Sequence, residues 1–177
     1  MREGEGVMER KEIRLANHDY SSARAYFVTI CTLDREKIFW ANHKAMVRVP
    51  EDVVLSEYGK IVDVAINNIP SIYSNVSVEK YAIMPDHLHL IIRIQEVKDG
   101  QATSISRVVS QLKGYVSKCI GRGVWQKLYY DHVIRNREDY NECASYIYSN
   151  PMKWSREYSG FCDSVKNEDE LRKEDNG

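Results

Sequence analysis

No stretch of this 177-residue chain approaches the roughly 20 consecutive apolar residues of a membrane-spanning helix. Its first residues, Met1-Arg-Glu-Gly-Glu-Gly6, lack the apolar core of a secretory signal. Both absences predict a cytoplasmic protein with no membrane partner. The four cysteines, Cys31, Cys119, Cys143 and Cys162, are widely spread and form no Cys-x-x-Cys pair, so neither a zinc knuckle nor a disulfide framework is expected. There is no internal repeat and no low-complexity linker, and the length suits one domain with a real core. A general excess of positive charge is also missing, since the formal net charge is −1.

The distribution of that charge is uneven. Residues 163–177 hold six acidic side chains against three basic ones and no aromatic residue, which predicts an acidic, disordered tail behind a single domain over 1–162. Residues 101–137 hold seven arginines and lysines against Asp131 alone, the electrostatic footprint expected of a phosphate-binding surface. Arg107, Lys113, Lys118, Arg122, Lys127 and Arg135 are the candidate nucleic-acid-binding residues within it.

Periodicity orders the elements. A strand is expected over Ala25–Thr32, rich in aromatic and β-branched residues, and a helix from Ser56 whose apolar spacing runs to Ile69 before Pro70 ends it. Val76–Met84 and His87–Gln95 read as hairpin arms joined at Pro85-Asp86. A helix over 104–120 is stopped by Gly121 and Gly123, a strand-like run covers Val124–Ile134, and a third helix covers Glu138–Asn150 up to Pro151. The order β-α-β-β-α-β with an appended helix predicts a ferredoxin-like α+β fold, an antiparallel sheet with helices on one face.

The chemistry concentrates in His87-Leu88-His89. Strand side chains alternate faces, so the two imidazoles point the same way and can share one metal ion. Two half-buried, hydrogen-bonded histidines would satisfy the same spacing. On the third helix Tyr146 and Asn150 lie four apart and share a face. A phenol can serve as a covalent nucleophile toward phosphorus, and an amide oxygen suits Mg²⁺ or Mn²⁺ beside two imidazoles. Tyr140 and Tyr148 are rivals, but neither has a ligand-type residue four positions later.

Over roughly Tyr26 to Trp154 the sequence resembles the single-tyrosine HUH transposases, especially the REP-associated tyrosine transposase branch. The resemblance rests on an ordered set: Phe27-Val-Thr29 with Arg35 and Phe39, Met84-Pro-Asp-His-Leu-His-Leu90, Val124-Trp-Gln126, Tyr130-Asp-His-Val-Ile-Arg-Asn136, Asp139-Tyr140 and Tyr146-Ile-Tyr-Ser-Asn-Pro-Met-Lys153. It implies that His87 and His89 are metal ligands, that Asn150 falls where the family places a Gln or Asn ligand, and that Tyr146 is the nucleophile. It further implies metal-dependent nicking and rejoining of single-stranded DNA beside a hairpin, through a 5′-phosphotyrosine intermediate. Monomer and homodimer are both left open. Tyr115, Trp125, Tyr129 and Tyr130 are available to stack unpaired bases, and His132 is a candidate helper in deprotonating the phenol.

Hydrolase readings of His-x-His fail at one position, because Ile91 stands where a histidine-triad hydrolase needs His and a zinc hydrolase needs Asp. The remaining alternative is a domesticated, non-catalytic DNA-binding protein of the same fold.

Overall fold

The computed structural model describes residues 24–96 and 103–174, with side chains described as far as residue 158. Four strands form one antiparallel sheet: β1 (Arg24–Cys31), β2 (Val76–Ile83), β3 (His87–Ile94) and β4 (Tyr130–Ile134), in spatial order β2-β3-β1-β4. The helices are α1 (Glu57–Asn67), the single turn α2 (Ile69–Ile72), α3 (Ile105–Ile120) and α4 (Arg137–Glu174). This is the ferredoxin-like α+β arrangement that the order of elements predicted. Among the described residues, no helix is long and apolar enough to cross a membrane.

The sheet has two unlike faces. Tyr26, Val28 and Ile30 of β1 and Leu88, Leu90, Ile92 and Ile94 of β3 are almost wholly buried in one core with Val62 and Ile66 of α1 and Ile105, Val109 and Val116 of α3. The alternate residues, Phe27 and Thr29 on β1 and His87, His89 and Ile91 on β3, lie on the opposite face, in register as Thr29 with His89 and Cys31 with His87. Helix α4 packs against β2 and β3, and its Ile147, Asn150 and Pro151 are buried. A strand covered on both sides explains why β3 is apolar almost throughout, apart from its histidines and Arg93.

Local chemistry sets the helix starts. Ser56 and Ser104 accept hydrogen bonds from the Gly59 and Arg107 amides and cap α1 and α3. Asn136 Oδ1 does the same for the Asp139 amide at the start of α4. Gly121, at φ 85°, takes the left-handed position that ends α3.

Three sequence expectations need correction. Pro70 does not end α1, which stops at Asn67; Pro70 sits in the first turn of α2, where its missing N–H costs nothing. Of the run Val124–Ile134, only Tyr130–Ile134 is a strand, and Trp125 makes an isolated bridge with Thr32. The third helix passes through Pro151 and continues to Glu174. Proline removes one helical hydrogen bond, but here the helix is anchored on both sides of it. Asn150 and Ile147 are buried before it, while after it Ser155 Oγ accepts from the Val47 amide at 2.8 Å and Trp154 packs edge-on to Trp40. The boundary expected at residue 162 falls inside this helix, beyond the last described side chain.

Gly59 and Gly114 test this packing with opposite signs. A Cβ on Gly59 would stand 2.1 Å from the Phe39 carbonyl oxygen, whereas one on Gly114 meets nothing within 4 Å. Gly59→Ala is expected to lose about 1–3 kcal/mol or more by forcing the backbone apart, and Gly114→Ala to gain about 0.5–1 kcal/mol of helix stability. Urea unfolding of the two variants beside wild type measures both.

Candidate active site

The site begins with the register of β1 and β3. His87 and His89 stand two apart on β3, and their Nε2 atoms converge to 3.0 Å. Each ring is oriented from behind: His89 Nδ1 lies 2.9 Å from Thr29 Oγ1 on the neighbouring strand, and His87 Nδ1 lies 2.5 Å from Asp86 Oδ1. Helix α4 supplies the third group, with Asn150 Nδ2 3.0 Å from His89 Nε2. Tyr146, one turn earlier, stands edge-on to His89 at 5.0 Å between ring centroids and edge-on to Phe27 at 5.9 Å. Phe27 in turn stacks on His89 at 5.4 Å. Phe27, Thr29, Arg35, His87, His89, Tyr130 and Tyr146 line an open cleft of about 390 Å³.

These residues fit a divalent cation. Nitrogen ligands about 2.0–2.1 Å from one ion stand about 3 Å apart or slightly more, the separation already present between the two imidazoles. With Nδ1 protonated and donating to Asp86 or Thr29, each ring leaves Nε2 free, the carboxylate–histidine support that metal-binding imidazoles use. Rotation of the Asn150 amide exchanges Nδ2 for Oδ1 at the same place, giving an oxygen ligand. Burial, then the neighbouring His87 and Arg35, push the His89 pKa down to about 3, so the ring is neutral at physiological pH, as a ligand must be.

Asp86 was expected only as a turn residue, and it does more. Burial raises its pKa, but the hydrogen bond and charge of His87 and the charge of Arg35 outweigh burial and hold the carboxyl below its usual value. Its other oxygen pairs with Arg35 Nε at 3.1 Å. Thr32 fixes its backbone, donating from both its amide and its hydroxyl to the Asp86 carbonyl at 2.9 Å. The sequence signal was an acidic residue directly before the first histidine, which turn chemistry also explains.

The three candidate tyrosines on α4 diverge. Tyr146 faces the histidines, Tyr148 lines a separate groove with Pro50, Leu55 and Tyr81, and Tyr140 lines a cleft with Glu79 and Arg93. His132 turns its Nε2 to both oxygens of Asp139, at 2.8 and 2.9 Å. With Cys143 these make a His-Asp-Cys cluster whose ligand atoms lie within 4.8 Å of one another. Burial, then Asp139, push the Cys143 thiol up to about 11, so it is protonated, and the cluster ties the first turns of α4 to β4.

The basic residues do not form one uniform surface. Arg107, Lys118 and Lys127 are exposed. Lys113 donates to the carbonyls of Gln126 and Lys127, and Arg122 pairs with both oxygens of Glu36. Arg135 lies with Arg24, Arg93 and Arg137 around a cleft of about 970 Å³. Of the candidate stacking residues, Tyr115 and Tyr130 are exposed, Trp125 is half-buried with its indole donating to the Lys113 carbonyl, and Tyr129 is buried.

An antiparallel ferredoxin-like sheet with two histidines on a central strand, faced by a helix-borne Tyr-x-x-x-Asn, is the arrangement that the resemblance to single-tyrosine HUH transposases implies. Comparison with known proteins reaches the same class. No protein-family profile matches the chain. An uncharacterized protein of Haemophilus influenzae is 30% identical over 174 residues, covering 86% of this chain and 93% of that protein. A second protein of that organism, which carries the name REP-associated tyrosine transposase as a provisional designation, is 24% identical over 159 residues, 84% of this chain and 78% of its own length. The REP-associated tyrosine transposase of Escherichia coli K12 is 28% identical over 97 residues, 54% of this chain and 57% of that protein. A solved REP-associated tyrosine transposase bound to a REP hairpin superposes with a TM-score of 0.56 at 22% identity, over 79% of this chain and 73% of that one, and so shares the fold. The chain is thus similar in sequence to proteins named REP-associated tyrosine transposases and shares the fold of a solved one.

The His89 environment predicts a pH dependence. The native ring resists protonation down to about pH 3, whereas the unfolded ring protonates near pH 6.5. Between those values the unfolded state binds more protons, so this contribution to stability is present above pH 6.5 and is lost as pH falls toward 3. Chemical unfolding with a metal chelator present, from pH 7.5 to 4.5, should show the wild type losing more stability than His89→Gln.

Proposed function

We propose that this protein nicks and rejoins single-stranded DNA beside a hairpin, with Tyr146 as the nucleophile and a 5′-phosphotyrosine as the intermediate. The observation that supports the reading is the convergence of His87, His89 and Asn150 within 3.0 Å contacts, beside a Tyr146 side chain that lines the same open cleft. His87, His89 and Asn150 would hold a divalent cation, Mg²⁺ or Mn²⁺, which when bound supplies Lewis-acid polarisation and neutralises phosphate charge.

The chain's own groups do the rest. Tyr146 is 44% exposed and its ring packs edge-on against both Phe27 and His89, so its hydroxyl can meet a strand laid across the cleft without unfolding anything. Its oxygen attacks phosphorus, the bond from phosphorus to the 3′ oxygen breaks, the phenol loses its proton and the leaving 3′ oxygen gains one. One phosphodiester replaces another, so the step needs no nucleotide cofactor. Attack by a second 3′-OH reverses it and joins new partners. A single strand reaches an open cleft on a sheet face more readily than a stiff duplex, and exposed Tyr130 at its edge is placed to stack on an unpaired base.

Phosphate contacts beyond the cleft are assigned to the basic residues that project into solvent. Arg107, Lys118, Lys127 and Arg135 are exposed, while Lys113 and Arg122 already serve carbonyls and Glu36. Neutralising Arg107, Lys118 and Lys127 together should weaken single-strand binding and flatten its dependence on salt, because fewer counterions are released. Fluorescence anisotropy across a salt series measures the slope.

The reading is tested most directly by Tyr146→Phe. Wild type should cleave hairpin oligonucleotides with Mg²⁺ or Mn²⁺, lose activity in chelator and leave a covalent 5′ adduct on a denaturing gel. Tyr146→Phe should fold and bind metal but form no adduct, while Tyr140→Phe and Tyr148→Phe retain it. An adduct mapped to either control tyrosine would reassign the nucleophile. Cleavage by Tyr146→Phe without adduct would replace the mechanism with hydrolysis, and binding without cleavage by wild type would favour the non-catalytic alternative.

A further inference from the structure

Arg35 is held in the cleft by a chain of contacts that the two histidines alone do not require. It closes a short 3-10 turn, Leu33–Arg35, directly after β1. Both Asp34 at φ 51° and Arg35 at φ 56° take the left-handed conformation, which side chains other than glycine adopt at a cost. The turn is fixed from several sides: the Leu33 amide donates to the Val124 carbonyl at 2.8 Å, and the Thr32 hydroxyl lies 2.9 Å from the carbonyl oxygens of both Glu36 and Asp86, which share its one proton. The effect is to turn the Arg35 side chain back toward β3. Its Nε pairs with the buried Asp86 and its Nη1 donates to Cys31 Sγ at 2.8 Å, while the side chain stays 49% exposed and lines the cleft with His87, His89 and Tyr146.

Charge balance gives this placement a purpose. An in-line attack on a phosphodiester raises the charge on the reacting phosphorus group from about one toward two negative units. The Asp86 carboxylate, in contact with both His87 Nδ1 and Arg35 Nε, adds another negative charge beside the site. A divalent cation held by the histidines would cover two of these three charges, leaving the third to the guanidinium. Arginine suits the task better than lysine because its planar fork can keep one edge on Asp86 and offer another to a phosphate oxygen.

We propose that Arg35 is a catalytic residue that contacts a non-bridging oxygen of the scissile phosphate, with Asp86 as the anchor that fixes it relative to His87. The proposal rests on the nicking-and-joining reaction assigned to this cleft. In that step the Tyr146 oxygen–phosphorus bond forms, the phosphorus–3′ oxygen bond breaks, and the proton lost by the phenol is matched by the one gained at the 3′ oxygen. Arg35 transfers nothing in this step.

The test removes the charge from the phosphate instead of from the protein. The linkage cleaved by wild type is first mapped in a pool of hairpin oligonucleotides with randomised single-stranded flanks, and is then synthesised as phosphate and as each methylphosphonate diastereomer. On the phosphate, Arg35→Ala should cleave about 100-fold more slowly than wild type, the scale seen when one donor to a developing oxyanion is removed, and Arg35→Lys should fall between them. On at least one methylphosphonate the gap between wild type and Arg35→Ala should shrink to a few-fold, because the oxygen that Arg35 contacts is gone. Asp86→Asn, which disturbs the anchor and His87 together, should keep its deficit on both substrates. A deficit for Arg35→Ala and Arg35→Lys that is equal on phosphate and on both methylphosphonates would make Arg35 a structural brace and overturn the proposal while leaving the Tyr146 reaction standing. Absence of any adduct with wild type would overturn the reaction and this proposal together.

Discussion

A neutral imidazole buried between a sheet and a helix needs a partner at each nitrogen, and His89 is placed where that requirement ties the molecule together. Its Nδ1 reaches Thr29 across the β1–β3 register, while its Nε2 reaches both His87 along the strand and Asn150 on α4. Loss of the Thr29 contact, or of both contacts at Nε2, would leave a buried ring nitrogen unsatisfied, which costs more than the hydrogen bond itself contributes. The same contacts fix how α4 lies on the sheet and therefore where Tyr146 stands. Strand register, helix docking and ring orientation are thus coupled through one side chain.

Asp86 extends this coupling to the loop after β1. It sits at the β2–β3 turn, its carbonyl held by Thr32 and its carboxylate shared between His87 and Arg35. A buried carboxylate with two cationic or donating neighbours is stable only while both remain in place. The left-handed turn at Asp34 and Arg35 is consequently part of the site, although it lies on a different element. Farther along α4, Trp154 stacks on Tyr158 at 5.1 Å, with the Lys37 ammonium 4.2 Å from the Tyr158 ring, so the segment after β1 also braces the helix beyond Pro151.

The basic segment shows how one charge type serves two physical ends. Lys113 satisfies carbonyls of the loop before β4, and Arg122 fastens that loop region to Glu36. Exposed Arg107, Lys118 and Lys127 project into solvent. Composition counts these residues alike, because formal charge does not record what a side chain is bonded to.

What the sequence determined by itself follows from short-range periodicity. A two-residue repeat puts His87 and His89 on one face of a strand, and a four-residue repeat puts Tyr146 and Asn150 on one face of a helix. The order of elements was enough for a ferredoxin-like sheet, and Ser56, Ser104 and Gly121 marked helix ends through their own side chains or backbone freedom. Three outcomes depended on contacts between residues far apart in the chain. Helix α4 runs through Pro151 because burial on both sides outweighs one missing hydrogen bond. Asp86 becomes a partner of Arg35 only when the loop after β1 folds against the β2–β3 turn. Tyr146, and neither Tyr140 nor Tyr148, comes to face the histidines because the packing of α4 selects one stripe of the helix, a choice that local sequence leaves open and the filled core decides.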